Sequence, residues 1–186
     1  MATAVSVNAT GNADIDGVLA GVRWSGPVTY SFPDSPTDYA SGYGYGEPHS
    51  NFSQIAAGTL AAVDAVMASL EALTNITINY AGTNGADVML AKSSAANPTS
   101  YAYYPGNYAE GGDVWFGTAY DYSHPHPGDY YYATVVHEIG HAFGLKHGQE
   151  RGGPANVALP SQHDDLEYSV MTYRSYIGGS TTGGYT

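Results

Sequence analysis

Two segments of the chain place hydrophobic residues with the period of an amphipathic helix. Between residues 52 and 73 apolar side chains recur every three or four positions, and Ser53 is a suitable N-cap. A second helical run begins near Tyr130 and stops at Gly144, since glycine readily adopts the left-handed conformation that ends a helix. The pattern therefore predicts two long helices.

Short runs rich in β-branched and aromatic residues predict strands between turn-forming Gly, Pro, Asn and Ser residues. These runs are residues 28–32, 76–80, 87–91, 101–104 and 113–116. The order strand, helix, four strands, helix indicates one α+β domain, α/β-like in its layers, with a sheet backed by two helices.

The chain divides into three expected parts. Residues 1–15 are expected to be a flexible lead-in, and residues 16–147 an N-terminal subdomain with the sheet and both helices. Residues 148–186 are rich in Gly, Pro, Ser and Thr with little periodicity, so we expect an irregular C-terminal subdomain.

The composition excludes several functional classes. Without cysteine the chain has no disulfide framework, thiol nucleophile or thiolate metal site. The net charge is −12 and the five Lys and Arg residues are scattered, so nucleic acid is not an expected partner. No apolar run approaches the ~20 residues of a membrane helix, so no membrane partner is expected. Residues 1–17 also lack the features of an N-terminal signal peptide.

The candidate chemistry lies in residues 137–147, which read HEIGHAFGLKH. His137 and His141 are four residues apart, so on a helix both imidazoles project from the same face. Two neutral imidazole nitrogens placed in this way can bind one zinc ion. Glu138 lies beside them and can reach a water molecule at the metal without coordinating the metal itself.

Gly144 explains how a third histidine can join this site. If the helix continued, His147 would point away, six residues past His141. A left-handed glycine ends the helix and turns the chain back, so His147 can be the third ligand. Three histidines leave one position open for water, as in catalytic rather than structural zinc sites. Incidental surface histidines are a poorer interpretation, because the stretch is apolar between its polar members.

A methionine-bearing segment follows downstream, where Ser169–Tyr173 reads SVMTY. The extended histidine motif predicts a turn of this kind beneath the metal site. Taken alone, Met171 would be ordinary core packing and Tyr173 an ordinary buried phenol. After the eleven-residue motif, both residues support a zinc site.

The histidine motif and the SVMTY turn resemble the metzincin clan of zinc endopeptidases. The placement of Tyr173 two residues after the turn methionine resembles the pattern of the serralysin and astacin branches. The segments VTYSFP at 28–33, YAYYPGNY and GDVWFG, together with the absence of cysteine, resemble the serralysins. The similarity extends over residues 16–176.

This resemblance implies a zincin fold, in which a twisted five-stranded mixed sheet lies above an active-site helix and a cleft for extended peptides. It implies zinc as the cofactor, with Glu138 acting as base and then acid. Tyr173 would be an outer zinc ligand that swings away to stabilise the oxyanion. The implied zinc ligands from the motif are His137, His141 and His147.

The resemblance also implies supporting and substrate-binding residues. Gly144 and Met171 would support the site. The strand at residues 101–104 would form the sheet edge that pairs with the backbone of polypeptide substrates. The implied substrate-binding residues are Tyr101, Ala102, Tyr103 and Tyr104. Serralysin-like proteins are secreted, so the resemblance implies an extracellular location.

Three features differ from the serralysin pattern. Serralysins usually carry Pro directly after the third histidine, where this chain has Gly148. Their calcium-binding glycine-rich repeats are absent, so calcium is a second candidate cofactor with no repeat motif here to bind it. A closing helix normally follows the Met-turn, whereas only residues 174–186 follow here. We therefore expect a truncated chain, or a companion fragment that fills the place of this helix.

Two alternative functions remain open from the sequence. An aromatic-rich extracellular binding module would bind carbohydrate or protein through the 18 tyrosines, but it would not need Glu138. An inactive or inhibitor-bound protease-fold module would keep the motif and have a proteinaceous inhibitor as partner. The favoured function is zinc-dependent hydrolysis of peptide bonds in extended polypeptides.

Overall fold

The computed structural model of the chain describes residues 2–182. Met1 and residues 183–186, the end of the expected glycine-rich tail, lie outside the described residues. The α-helices and strands found in the described residues are β1 (Thr3–Ser6), α1 (Ala13–Asp16), β2 (Val22–Ser25), β3 (Val28–Ser31), α2 (Ala57–Leu73), β4 (Ile78–Tyr80), β5 (Val88–Lys92), β6 (Ser100–Ala102), β7 (Val114–Phe116) and α3 (Tyr130–Ala142).

A five-stranded mixed sheet forms the centre of the domain, with strand order β4-β3-β5-β7-β6. The first four strands run parallel to one another, and β6 pairs antiparallel with β7 at the edge, with Tyr101 opposite Trp115. The sequence prediction of a five-stranded mixed sheet with two main helices is confirmed.

The two faces of the sheet are buried by different layers. Val88 and Leu90 of β5 belong to the core that α2 and α3 form on one face. Met89 and Ala91 alternate to the other face, where Trp115 packs among aromatic residues of the connection between β3 and α2. Burial of both faces explains why β5 is apolar at successive positions rather than alternating with polar residues.

Two local predictions differ from the structure. Residues 1–15 were expected to be a flexible lead-in, but residues 3–6 form β1 and pair antiparallel with β2. Ser53 is not the N-cap of α2, because its main chain pairs with Lys92 and the helix begins only at Ala57. Both differences arise from main-chain pairing between segments that are distant in the sequence.

The segment after α1 braces the chain that leaves α3. The amide of Lys146 donates to the Val18 carbonyl at 2.7 Å, and the amide of Ala20 donates to the Gly144 carbonyl at 2.9 Å. The buried Lys146 ammonium donates to the carbonyls of Gly17 and Glu150. Residues 143–182 otherwise follow an irregular path.

No helix within residues 2–182 is both long enough and apolar enough to cross a lipid bilayer.

Candidate metal centre and active site

Helix α3 carries the first three residues of the site. Its N-terminus is capped by Asp129, whose carboxylate accepts the Tyr132 amide at 2.7 Å. The side chains of His137, Glu138 and His141 are buried although they are polar. Burying a polar group costs free energy unless it has a hydrogen-bonding or metal partner. The burial of these three side chains therefore indicates that each has such a partner or a chemical role.

Gly144 redirects the chain at the end of α3. Its φ is +99°, and a Cβ at this position would lie 2.1 Å from the Val22 carbonyl oxygen. The Leu145 amide donates back to the Gly140 carbonyl at 2.9 Å, as in a Schellman termination. Glycine is therefore required here for both its conformation and its small size.

This turn brings a third histidine to the face of α3. One ring nitrogen from each of His137, His141 and His147 lies within 4.8 Å of the others. The ring centroids of His141 and His147 are 4.6 Å apart, and those of His137 and His141 are 4.7 Å apart. The spacing of the motif thus predicted a cluster that the structure assembles.

The protonation of these rings follows from their partners. Nδ1 of His137 lies 2.7 Å from the Val170 carbonyl oxygen, and Nδ1 of His141 lies 2.7 Å from the Leu145 carbonyl oxygen. A carbonyl oxygen only accepts, so each Nδ1 carries the ring proton. Burial lowers the pKa of His137 to about 4 and the pKa of His141 to about 3, so both rings are neutral at pH 7.

His147 completes a set of three ring nitrogens that face one another. Its Nδ1 donates to the Glu150 carboxylate at 2.8 Å, which leaves Nε2 as the acceptor. Nε2 of His147 lies 3.0 Å from Nε2 of His141. Ring nitrogens from three histidines that converge in this way are a donor set that fits a metal ion.

Glu138 lies beside the histidines with one oxygen held and one free of hydrogen bonds. Ser100 Oγ donates to Oε1 at 2.8 Å, whereas Oε2 is buried and has no hydrogen-bond partner within residues 2–182. Burial raises the pKa of Glu138 to about 7, and the hydrogen bond from Ser100 opposes that rise. A nearby cation would also oppose the rise by favouring the carboxylate.

Tyr173 reaches the same site from the chain after residue 148. Its hydroxyl lies 2.8 Å from Nε2 of His147, and its ring centroid is 4.4 Å from that of His147 and 5.7 Å from that of His137. The phenol therefore occupies the rim of the histidine cluster. Its side chain is 37% exposed, so it also borders solvent.

Met171 packs directly beneath α3. The side chain is buried, and the Met171 carbonyl accepts the Gly148 amide at 3.0 Å. Proline at position 148, the residue usual in serralysins, could not make this bond because it lacks the N–H. Gly148 thus connects the loop that bears His147 to the Met-turn.

The edge strand presents its two faces to different partners. Tyr101 and Tyr103 direct their hydroxyls to Glu47, beneath the sheet and away from α3. Ser100 faces Glu138, and the Tyr104 ring packs edge-on against His141 at 5.7 Å. The hydroxyls of Tyr101 and Tyr103, both in the predicted substrate-binding strand, therefore point away from α3, although Tyr101 still contributes to the lining of the cleft.

Cavities on both sides of the histidines form a cleft. One, of about 250 Å³, lies beside Glu138 and is lined by Thr99, Tyr130 and Thr134. The other, of about 220 Å³, includes Ala102 and Glu150 in its walls. The histidines and Glu138 thus lie in a groove that continues in two directions.

Ser100, Glu47 and Glu150 were missed by the sequence reasoning. Ser100 precedes the predicted strand by one residue, and Glu150 lies three residues after the last histidine. Only the i, i+3 spacing of His147 and Glu150 offered a local signal for a partner of the third ring. The other two contacts join segments at least 38 residues apart.

Comparisons with known proteins agree with this geometry. Residues 27–173 match the family model of the matrixins (Peptidase_M10). Serralysin C of Dickeya chrysanthemi is 38% identical over 91 residues, which cover 45% of this chain and 18% of the relative. Serralysin B of the same organism is 33% identical over 123 residues, covering 60% of this chain and 24% of the relative.

A serralysin of Proteus mirabilis is 38% identical over 85 residues, covering 40% of this chain and 17% of the relative. The matched segments thus span only between 17% and 24% of the length of these three relatives. The family model, by contrast, extends over most of the chain and includes all three histidines. The chain therefore belongs to the matrixin (M10) family of zinc metalloendopeptidases.

Proposed function

We propose that the protein is a zinc-dependent endopeptidase that hydrolyses peptide bonds in extended polypeptides. The observation that carries this proposal is the convergence of ring nitrogens from three histidines beside a buried carboxyl group with one unpartnered oxygen. Neither a scaffold nor a carbohydrate-binding module needs that carboxyl group at that place.

Zinc is the metal that this donor set favours. The nitrogens of His137, His141 and His147 would hold the ion, and the absence of carboxylate from the ligand set disfavours Ca²⁺ and Mg²⁺. A zinc ion held by three histidines acts as a Lewis acid and lowers the pKa of a bound water molecule to about 7.

Glu138 acts as the general base and then as the general acid. Ser100 holds Oε1, so Oε2 is the oxygen that takes a proton from the attacking water molecule. The same oxygen then delivers that proton to the amine that leaves as the peptide bond breaks. The burial of Glu138 limits competition from bulk solvent.

Tyr173 stabilises the negative charge that develops on the carbonyl oxygen of the substrate. Its hydroxyl is 2.8 Å from His147 Nε2, at the rim where that oxygen would lie. A hydrogen bond from this hydroxyl to the oxyanion would be strongest in the transition state. Tyr173 would also serve as the outer metal ligand in the absence of substrate.

The substrate lies extended along β6. The strand is the last in the sheet, so one side of its main chain faces the cleft rather than another strand. A peptide added there gains main-chain hydrogen bonds whatever its sequence. This mode favours flexible polypeptide segments as substrates, and such segments are accessible to an enzyme secreted into the medium.

Metal analysis combined with a casein digest tests the proposal. We expect one zinc per chain and cleavage of casein that a chelator abolishes and added zinc restores. Glu138→Gln should retain zinc and fold but lose nearly all activity, because only proton transfer is removed. A Glu167→Gln variant, altered on the surface, is the matched control. Equal turnover by Glu138→Gln at matched zinc content would refute the assignment of the base.

A further inference from the structure

The edge strand β6 is held from beneath by one buried carboxyl group. Oε1 of Glu47 accepts the hydroxyls of Tyr101 and Tyr103, each at 2.5 Å. Oε2 of Glu47 accepts the Tyr45 amide at 2.8 Å. Glu47 is 0% exposed, so these hydrogen bonds replace the water that such a group would otherwise keep.

The surroundings of Glu47 are closely fitted to it. A Cβ at Gly44 would lie 2.5 Å from Oε2 of Glu47 and 2.8 Å from the Tyr103 hydroxyl oxygen, so a residue with no side chain is needed there. Ser93 Oγ donates to the Glu47 carbonyl at 2.8 Å, which ties Glu47 to the end of β5. Within residues 2–182 no Lys or Arg forms an ion pair with Glu47. The Glu47 carboxyl group is therefore held by hydrogen bonds rather than by an ion pair.

The pairing of β6 with β7 determines which main-chain groups face the cleft. The Tyr103 amide donates to the Asp113 carbonyl at 2.9 Å, which continues the pairing of Tyr101 with Trp115. Since main-chain groups of an antiparallel strand alternate in direction, those of Ser100 and Ala102 point to the open side of the sheet. The residues anchored to Glu47 are thus the ones that do not offer their main chain to a ligand.

We propose that Glu47 is a positioning residue for extended substrates, acting through Tyr101 and Tyr103 on the free edge of β6. This inference rests on the proposed function, because it concerns how the same cleft holds a polypeptide. Glu47 does not touch the substrate. It keeps residues 101–103, at the end of β6 and just after it, in the extended conformation that a second strand can pair with.

Preorganisation is the physical reason for the effect. Without this anchor, an edge strand paired on one side only would lose conformational entropy each time a peptide binds, and this loss would weaken binding. Loss of the anchor should therefore weaken binding of long peptides, which pair along the whole edge. A short ligand that contacts only the metal and Glu138 should be affected much less.

The test compares two probes on the intact, zinc-loaded protein. The long probe is an octapeptide whose central amide is replaced by a non-cleavable reduced bond, and binding is followed by fluorescence anisotropy. The short probe is acetohydroxamate, a metal-binding group with no peptide backbone. For Glu47→Ala we expect Kd for the octapeptide to rise about tenfold. Kd for acetohydroxamate should stay within about twofold, because the histidine site is untouched.

Tyr103→Phe provides a second variant in case Glu47→Ala does not fold. It removes one hydroxyl from the same anchor, and Kd for the octapeptide should rise several-fold. Tyr30→Phe is the matched control. Tyr30 lies on β3, away from the cleft, and its hydroxyl donates to Asp64 at 2.7 Å. The control should lose comparable thermal stability without any change in octapeptide affinity.

The outcomes separate this inference from the proposed function. An unchanged octapeptide Kd in both variants, or equal weakening of both probes, would overturn the role of Glu47. Failure of the wild-type protein to bind the octapeptide would overturn it as well. If the variants weaken octapeptide binding but not acetohydroxamate binding, and no peptide substrate is cleaved, the role of Glu47 is supported and the peptidase proposal fails.

Discussion

The sulfur of Met171 occupies the space that a side chain at Gly140 would need. A Cβ at position 140 would lie 2.5 Å from Sδ, closer than any ordinary contact. The Met-turn and the helix that bears two of the histidines are therefore fitted to each other through a position with no side chain. This close fit explains why a glycine stands near the C-terminal end of α3 although glycine lowers helix propensity.

Gly140→Ala should destabilise the protein by about 1 kcal/mol. Crowding against Met171 costs about 1–3 kcal/mol, and the gain in helix propensity returns up to about 1 kcal/mol. In a Met171→Ala background the same substitution should become neutral or stabilising, because the obstructing sulfur is gone. Urea unfolding of the four proteins measures this coupling, and additive effects would show that the two residues are independent.

Tyr173→Phe should lower turnover more than substrate affinity. The variant keeps the ring contacts with His137 and His147 but loses the hydroxyl that we propose stabilises the transition state. We expect kcat to fall by about 10²-fold with little change in KM. Steady-state kinetics on a fluorogenic peptide test this expectation. A rise in KM alone would instead make Tyr173 a substrate-binding group.

Asp164→Ala should loosen the Met-turn. The buried carboxylate accepts Thr172 Oγ1 at 2.5 Å and Arg174 Nε at 2.8 Å, on both sides of Tyr173. Loss of two buried hydrogen bonds, one to a charged group, should reduce the free energy of unfolding by about 3 kcal/mol. The exposed pair of His163 with Asp14 is the control, where Asp14→Ala should cost less than about 1 kcal/mol.

Stability should decrease between acid and neutral pH because of Asp113. Complete burial raises the pKa of Asp113 well above its usual value, although Tyr43 and the Met89 amide donate to the carboxyl group. The native state therefore holds this proton where the unfolded chain has released it. The contribution of Asp113 to stability is full below pH 3.8 and falls as the pH rises above that value.

Asp113→Asn should remove this dependence, because asparagine resembles the neutral acid. We expect the variant to gain stability relative to the wild type at pH 8 and to lose that advantage near pH 4. Unfolding curves across this pH range supply the measurement. A constant difference between the two proteins would mean that Asp113 does not change its protonation on unfolding.

The histidine site could be predicted because its geometry is local. The positions of His137 and His141 follow from one helical turn, and Gly144 is the residue that permits the reversal toward His147. The sheet was also predictable in outline, since its buried strands are apolar and bounded by turn residues. These features depend on residues within about one turn or strand of each other.

The remaining features depend on contacts that no local pattern encodes. Strand β1 is stable because β2 pairs with it, and Ser53 leaves the helix because Lys92 offers a main-chain partner. Ser100 reaches Glu138 only after β6 has been placed beside α3. Such residues could be assigned only once the strand order was known.

The contacts of Lys146 join the beginning of the chain to the metal site. Its ammonium holds the carbonyls of Gly17 and Glu150 together, on the two sides of the loop that presents His147. That loop cannot change position without disturbing residues 17–20. Free energies of coupled sites are reciprocal, so if the position of residues 17–20 favours that of His147, metal binding favours both by the same free energy. We therefore expect residues far from the histidine motif to contribute to the metal affinity of the site.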